Sequence, residues 1–91
     1  MSVKEELLEE VLTETKEKKQ NEIIVFNDEV NTFDHVIEML IKICEHDALQ
    51  AEQCTLLIHY KGKCGVKSGD YEDLKPRCSK LLEAGISAEI Q

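Results

Sequence analysis

The chain has 91 residues, enough for one domain and too few for a second of ordinary size. Its net charge of −8, from 19 acidic and 11 basic side chains, repels phosphate backbones and anionic membrane surfaces, so neither nucleic acid nor membrane is expected as a partner. No apolar run approaches the roughly 18 residues of a membrane span. The acidic opening MSVKEELLEEVL lacks the marks of a secretory or transit peptide, which predicts a cytoplasmic protein with reduced thiols.

Residues 1–21 hold six Glu and four Lys with a sparse apolar stripe at Val3, Leu7, Leu8, Val11 and Leu12. So narrow a stripe among dense charges predicts a flexible acidic arm ahead of a core domain over residues 22–91. EIIVFN (22–27) is an apolar, β-branched run closed by Asn-Asp, the pattern of a buried strand. Asn31 or Thr32 can then cap a helix whose apolar positions, Phe33, Val36, Ile37, Leu40, Ile41 and Cys44, form one helical face.

Asp47 followed by Gln50 resembles a capping box and starts a second helix. Its apolar residues Leu49, Ala51, Cys54, Leu56, Leu57, Ile58 and Tyr60 lie on more than one side, which predicts a central position. This helix should stop before Lys61-Gly62-Lys63. Cys64 to Lys67 is a short strand, and Ser68-Gly69-Asp70 opens a third helix carrying Tyr71, Leu74, Cys78, Leu81 and Leu82, with Gly85 as a left-handed cap. Pro76 conflicts with that helix at a cost of about 3 kcal/mol, so Asp73 becomes an alternative cap, or the helix kinks early. ISAEI (86–90) alternates and closes the domain as a strand. The expected order is β-α-α-β-α-β.

The chemistry-bearing side chains point away from catalysis. Four Cys (44, 54, 64, 78) and three His (35, 46, 59) contain no CxxC or HxxxH pair, so no metal and no cofactor is expected. Cys44 and Cys78 fall on apolar helix faces, where a thiol acts as a small hydrophobe. His59 and Cys64 could meet, yet no glycine loop or orienting third group accompanies them. Asn27, Asp28 and Glu29 place acceptors where a buried strand emerges. The simplest reading is a turn before a helix cap; the other is an acceptor set over an apolar cavity. His59 follows Thr55 by four residues, so the two share a helix face.

The runs FNDEVNTFDHVIEML (26–40) and HYKGKCGV (59–66) together resemble ClpS, the N-degron adaptor of the ATP-dependent Clp protease, over about residues 22–90. The resemblance implies an α+β fold, with a three-stranded antiparallel sheet packed on three helices. It implies an adaptor, not an enzyme, that binds proteins with a large hydrophobic first residue and delivers them to a ClpA-type AAA+ unfoldase. By motif position, Asn27, Asp28 and His59 would surround the substrate's α-amino group. Val25, Asn31, Phe33, Val36, Thr55, Ile58 and Ile86 would line its side-chain pocket. Asp70 and Lys75 would face the unfoldase. Thr55 stands where the family commonly carries a bulky apolar residue, and Phe33 where it often carries Met. A ribosomal-stalk-like protein-interaction domain is the alternative of the same architecture.

Overall fold

The computed structural model describes residues 20–91. The acidic arm and its apolar stripe, Val3 to Leu12, lie outside the described residues. In chain order the elements are β1 (Asn21–Phe26), α1 (Phe33–Cys44), α2 (Ala48–Lys61), β2 (Lys63–Gly69), α3 (Tyr71–Glu83) and β3 (Ala88–Ile90). The strands form one sheet in the order β2-β1-β3, and β1 runs antiparallel to both neighbours. The expected fold class and element order are those observed.

The sheet is built around the most apolar strand. Ile23 and Val25 of β1, with Val66 of β2, meet the buried faces of the helices in one core. Leu40, Leu74 and Leu81 are completely buried there, each contributing about 1.5–3 kcal/mol relative to exposure. In so small a domain these few side chains carry much of the stability. The register between β1 and β2 shifts at Ile23/Ile24, where β2 carries one extra residue, Val66, opposite consecutive residues of β1.

Local signals set most boundaries. Thr32 caps α1 by accepting from the His35 N–H at 3.1 Å, and Asp47 caps α2 by accepting from the Gln50 N–H at 2.7 Å. Gly62 ends α2 at φ 93, a left-handed conformation that a side chain would strain. Helix α3 closes in a Schellman motif. Gly85, at φ 83, donates its N–H to the Leu82 carbonyl, and Ile86 donates to Leu81, each at 3.0 Å.

Five expectations need correction. Helix α2 is not central, because Leu49, Leu56, Leu57 and Tyr60 are exposed and only Ala51, Thr55 and Ile58 are buried. Its two-sided apolarity meets the core on one side alone. Lys61 belongs to α2, since Gly62 rather than Lys61 supplies the turn. Ser68 and Gly69 finish β2 by pairing with Glu22 and Asn21 instead of opening a helix. Pro76 sits inside an uninterrupted α3 that starts at Tyr71, with Asp70 rather than Asp73 at the cap position. The proline lies on the exposed side, opposite the buried Leu74, Cys78 and Leu81, and their packing outweighs its missing bond. Strand β1 also begins one residue early, at Asn21.

Candidate functional site

A cleft of about 340 Å³ opens where β1 gives way to α1, with α2 as its second wall. Its interior is apolar. Val25 from β1, Val36 from α1, Ile58 from α2 and Ile86 after α3 are all buried and line it. Thr55 adds a fifth wall. Its hydroxyl donates to the Ala51 carbonyl at 2.7 Å, so that lone pair of the helix is occupied and the hydroxyl's bonding is local. Phe33, 40% exposed, stands at the rim and meets the His59 ring edge-to-face at 5.2 Å. His59 also meets Tyr60 at 4.9 Å, so its ring is fixed between two aromatic groups.

The polar side of the cleft comes from the turn after β1. Asn27 is anchored by its backbone, which donates to the Gly62 carbonyl at 2.9 Å and ties the end of β1 to the end of α2. Asp28 organises the turn. Its Oδ1 accepts from the N–H groups of Val30 and Asn31 at 3.0 and 2.9 Å, and the Asn31 carboxamide donates to both carboxylate oxygens. The Asn31 backbone N–H, chief among these donors, holds the Asp28 carboxyl below the usual carboxylate range, so it is ionised at neutral pH. The same Asn31 Nδ2 reaches the Gly85 carbonyl at 2.8 Å, joining this turn to the end of α3. His35 adds a second tie from α1 through its Nε2, 2.9 Å from the Ala84 carbonyl.

All ten residues expected around the substrate therefore line one cleft, drawn from four separate parts of the chain. Their division of labour differs from expectation in one respect. Asn31, grouped above with the apolar lining, is a polar brace for Asp28 and Gly85. Asp28 in turn accepts three bonds at Oδ1 and one, from Asn31, at Oδ2. Phe26, Glu29 and Thr32 also line the cleft. Their signal lies in the same sequence run, where Glu29 is a second carboxylate and Thr32 a helix cap. Asp70 and Lys75 are exposed at the start of α3 and lie outside the cleft. Asp70 makes no side-chain cap bond among the described residues, and only its carbonyl serves the helix.

Among the described residues, no group of three or more His, Cys, Asp or Glu is placed to hold a metal ion, and no helix is long and apolar enough to cross a membrane. The fold and cleft define a small α+β domain with an apolar cleft under a polar rim. The family of ATP-dependent Clp protease adaptor proteins, ClpS, matches residues 16–89. An ATP-dependent Clp protease adapter protein ClpS from Campylobacter jejuni is 38% identical over 85 residues, covering 87% of this chain and 88% of that protein. A ClpS from Shewanella halifaxensis is also 38% identical, over 64 residues. The solved structure of Agrobacterium tumefaciens ClpS2 superposes with a TM-score of 0.72, covering 81% of this chain and 99% of that one at 12% identity, which shows the shared fold. The chain belongs to the ClpS family, adaptors of the Clp protease and not proteases themselves. That membership displaces the ribosomal-stalk alternative.

Proposed function

We propose that this protein binds the free amino terminus of proteins that begin with a large hydrophobic residue, and delivers them to a ClpA-type AAA+ unfoldase for degradation by the Clp protease. The observation that carries the reading is the cleft itself, with buried aliphatic walls directly beneath Asn27, Asp28 and His59. A chain's α-amino group has a pKa of about 7.7–8.0 and is largely charged at neutral pH, whereas an internal peptide nitrogen offers one uncharged donor. An ionised Asp28 and the neighbouring acceptors suit the first and gain nothing from the second. Burying a Leu or Phe side chain in the apolar part adds about 1.5–3 kcal/mol. The ClpS2 relative was solved bound to L-phenylalaninamide, a compound that combines a free α-amino group with a large apolar side chain.

In this reading Val25, Val36, Thr55, Ile58 and Ile86 hold the first side chain, Phe33 closes over it, and Asn31 braces Asp28. Asp70 and Lys75, exposed and away from the cleft, belong to the surface that meets the unfoldase. The segment before residue 20 serves delivery rather than recognition. Removing it is expected to leave peptide affinity unchanged while abolishing degradation by the reconstituted protease. The direct test of recognition is a titration with peptides that differ only in their first residue. Leu and Phe should bind and Ser and Glu should not; equal affinities across the set would overturn the reading.

A further inference from the structure

The cleft leaves all four cysteines unused, and all four are free thiols. Cys44 and Cys78 are buried, and burial pushes both thiols up, Cys44 to about 11. They behave as core residues. Cys54 and Cys64 differ in being only partly buried. Cys54 lies three residues after Ala51 and four before Ile58, on the face that α2 turns toward the core. Cys64 is the register partner of the buried Val25 and packs against the core from β2. The two elements pack together and are joined by the Gly62 turn. Cys64 helps to raise the Cys54 thiol, so the two thiols are neighbours across this packed seam.

We propose that Cys54 and Cys64 form an oxidant-sensitive dithiol site, which hydrogen peroxide converts into a disulfide bridging α2 and β2. In the first half-reaction the Cys64 sulfur attacks one peroxide oxygen and the O–O bond breaks. The departing hydroxide takes up a proton and leaves as water, and Cys64 becomes a sulfenic acid. In the second, the Cys54 sulfur attacks the Cys64 sulfur and the S–O bond breaks. The hydroxide expelled takes the Cys54 proton and leaves as a second water. The two sulfurs together give up two electrons, and the peroxide receives them. A reducing dithiol reverses the bridge by exchange.

The surroundings assign the two roles. Burial, together with the neighbouring Cys64, pushes the Cys54 thiol up to about 12, so it stays protonated and suits the resolving position. Cys64 is partly buried like Cys54, and its thiol donates to the exposed Gly65 carbonyl at 3.4 Å, which leaves it the attacking position. Bridging requires an S–S distance of about 2.05 Å, so the two elements must close slightly from thiol contact. The bridge would also join the cleft's two walls. Cys54 adjoins Thr55, and Cys64 is the register partner of Val25.

The test treats the folded, full-length chain with hydrogen peroxide, quenches it, alkylates the remaining thiols after denaturation, and maps the product by mass spectrometry. Trypsin cuts after Lys61 and Lys63 and so separates the two cysteines. The expected product retains two alkylatable thiols, has lost two hydrogens, and contains one linked peptide joining Cys54 to Cys64 that dithiothreitol dissolves. The Cys64→Ser chain should form no internal bridge. Survival of all four thiols would overturn the proposal. So would separate oxidation of Cys54 and Cys64 without a link, or an equal loss of two thiols to an internal bridge in Cys64→Ser.

Discussion

The two ends of α1 both run into polar residues, and the chain uses them in opposite ways. At the C-terminal end the polar groups are spent on the fold. Glu45 adopts a left-handed conformation at φ 61, rare for a residue with a side chain, and its carboxylate reaches both Lys67 and Arg77 at 3.5 Å. Arg77 donates to the Ile43 carbonyl at 2.7 Å, satisfying one of the helix's last acceptors. His46 is buried, and its Nε2–H donates to the Val66 carbonyl at 2.6 Å, binding the helix end to β2. At the N-terminal end Asp28 and Asn31 brace a turn, while the Asn27 carboxamide and the His59 ring keep their hydrogen-bonding capacity free among the described residues. An apolar cavity lies directly below them. One end is a joint and the other an open rim. At the joint the side chains tie α1 to β2 and α3, even though His46 Nδ1 and Arg77 Nε make no hydrogen bond, and at the rim they face a cleft.

The largest effect that can sharpen this contrast comes from the ligand. Acetylating the amino group of a Leu-first peptide removes its charge and leaves Asp28 and its neighbours facing an amide. The expected loss is about 2–5 kcal/mol of binding, read by titration against the unmodified peptide. At the joint, His46→Leu strands the Val66 carbonyl and should lower stability by about 1–3 kcal/mol in urea unfolding. Peptide affinity of the folded variant should not change. If affinity fell as far as stability did, the two ends would not be separable.

A smaller effect probes the shape of the cleft. Thr55→Met fills space along a cleft wall near where a substrate's β-carbon would lie. Peptides beginning with Ile or Val should lose about 1–3 kcal/mol, and those beginning with Leu or Phe should change little. A uniform response from all four would show that residue 55 does not shape the pocket.

The smallest expected effect concerns pH. The folded-state pKa of Asp28 is depressed below its ordinary 3.8, so its contribution to stability is fully present above that value. That contribution is lost as pH falls through the folded-state pKa. The stability gap between the native chain and Asp28→Ala should therefore be constant near neutrality and narrow in acid. Urea unfolding across that range measures it, and a gap that widened in acid would mean the carboxyl is preferred in its protonated form.

Much of this architecture is legible in the sequence because the deciding signals are local. Thr32, Asp47, Gly62 and Gly85 each act within a few residues, and each serves as a cap or helix end. The errors arise where a distant neighbour decides. The pattern of α2 shows that Leu49, Leu56 and Tyr60 are apolar, but only the assembled molecule shows that nothing among the described residues covers them. Pro76 breaks a local rule that Leu74, Cys78 and Leu81 override from the other side of the helix. The motif runs around Asn27 and His59 draw attention to the cleft. The bonds that consume Asp28 and place Ile86 opposite Val36 depend on chain reversals that no window of sequence contains. That Cys54 and Cys64 sit on neighbouring packed elements is hidden in the same way, since ten residues and a turn separate them.

The Schellman closure of α3 couples ligand to fold in a way that backbone amides can report. Ile86 is both the residue whose N–H completes that closure, through the Leu81 carbonyl, and a wall of the cleft. Its neighbour Gly85 is held by Asn31. Fraying of the last turn of α3 must therefore dismantle the cleft, and an occupant of the cleft must oppose that fraying by mass action. The Gly85 and Ile86 amides should exchange with deuterated water more slowly when the peptide is bound. The slowing should grow with peptide concentration, and the His46 amide at the other end of α1 should lag behind.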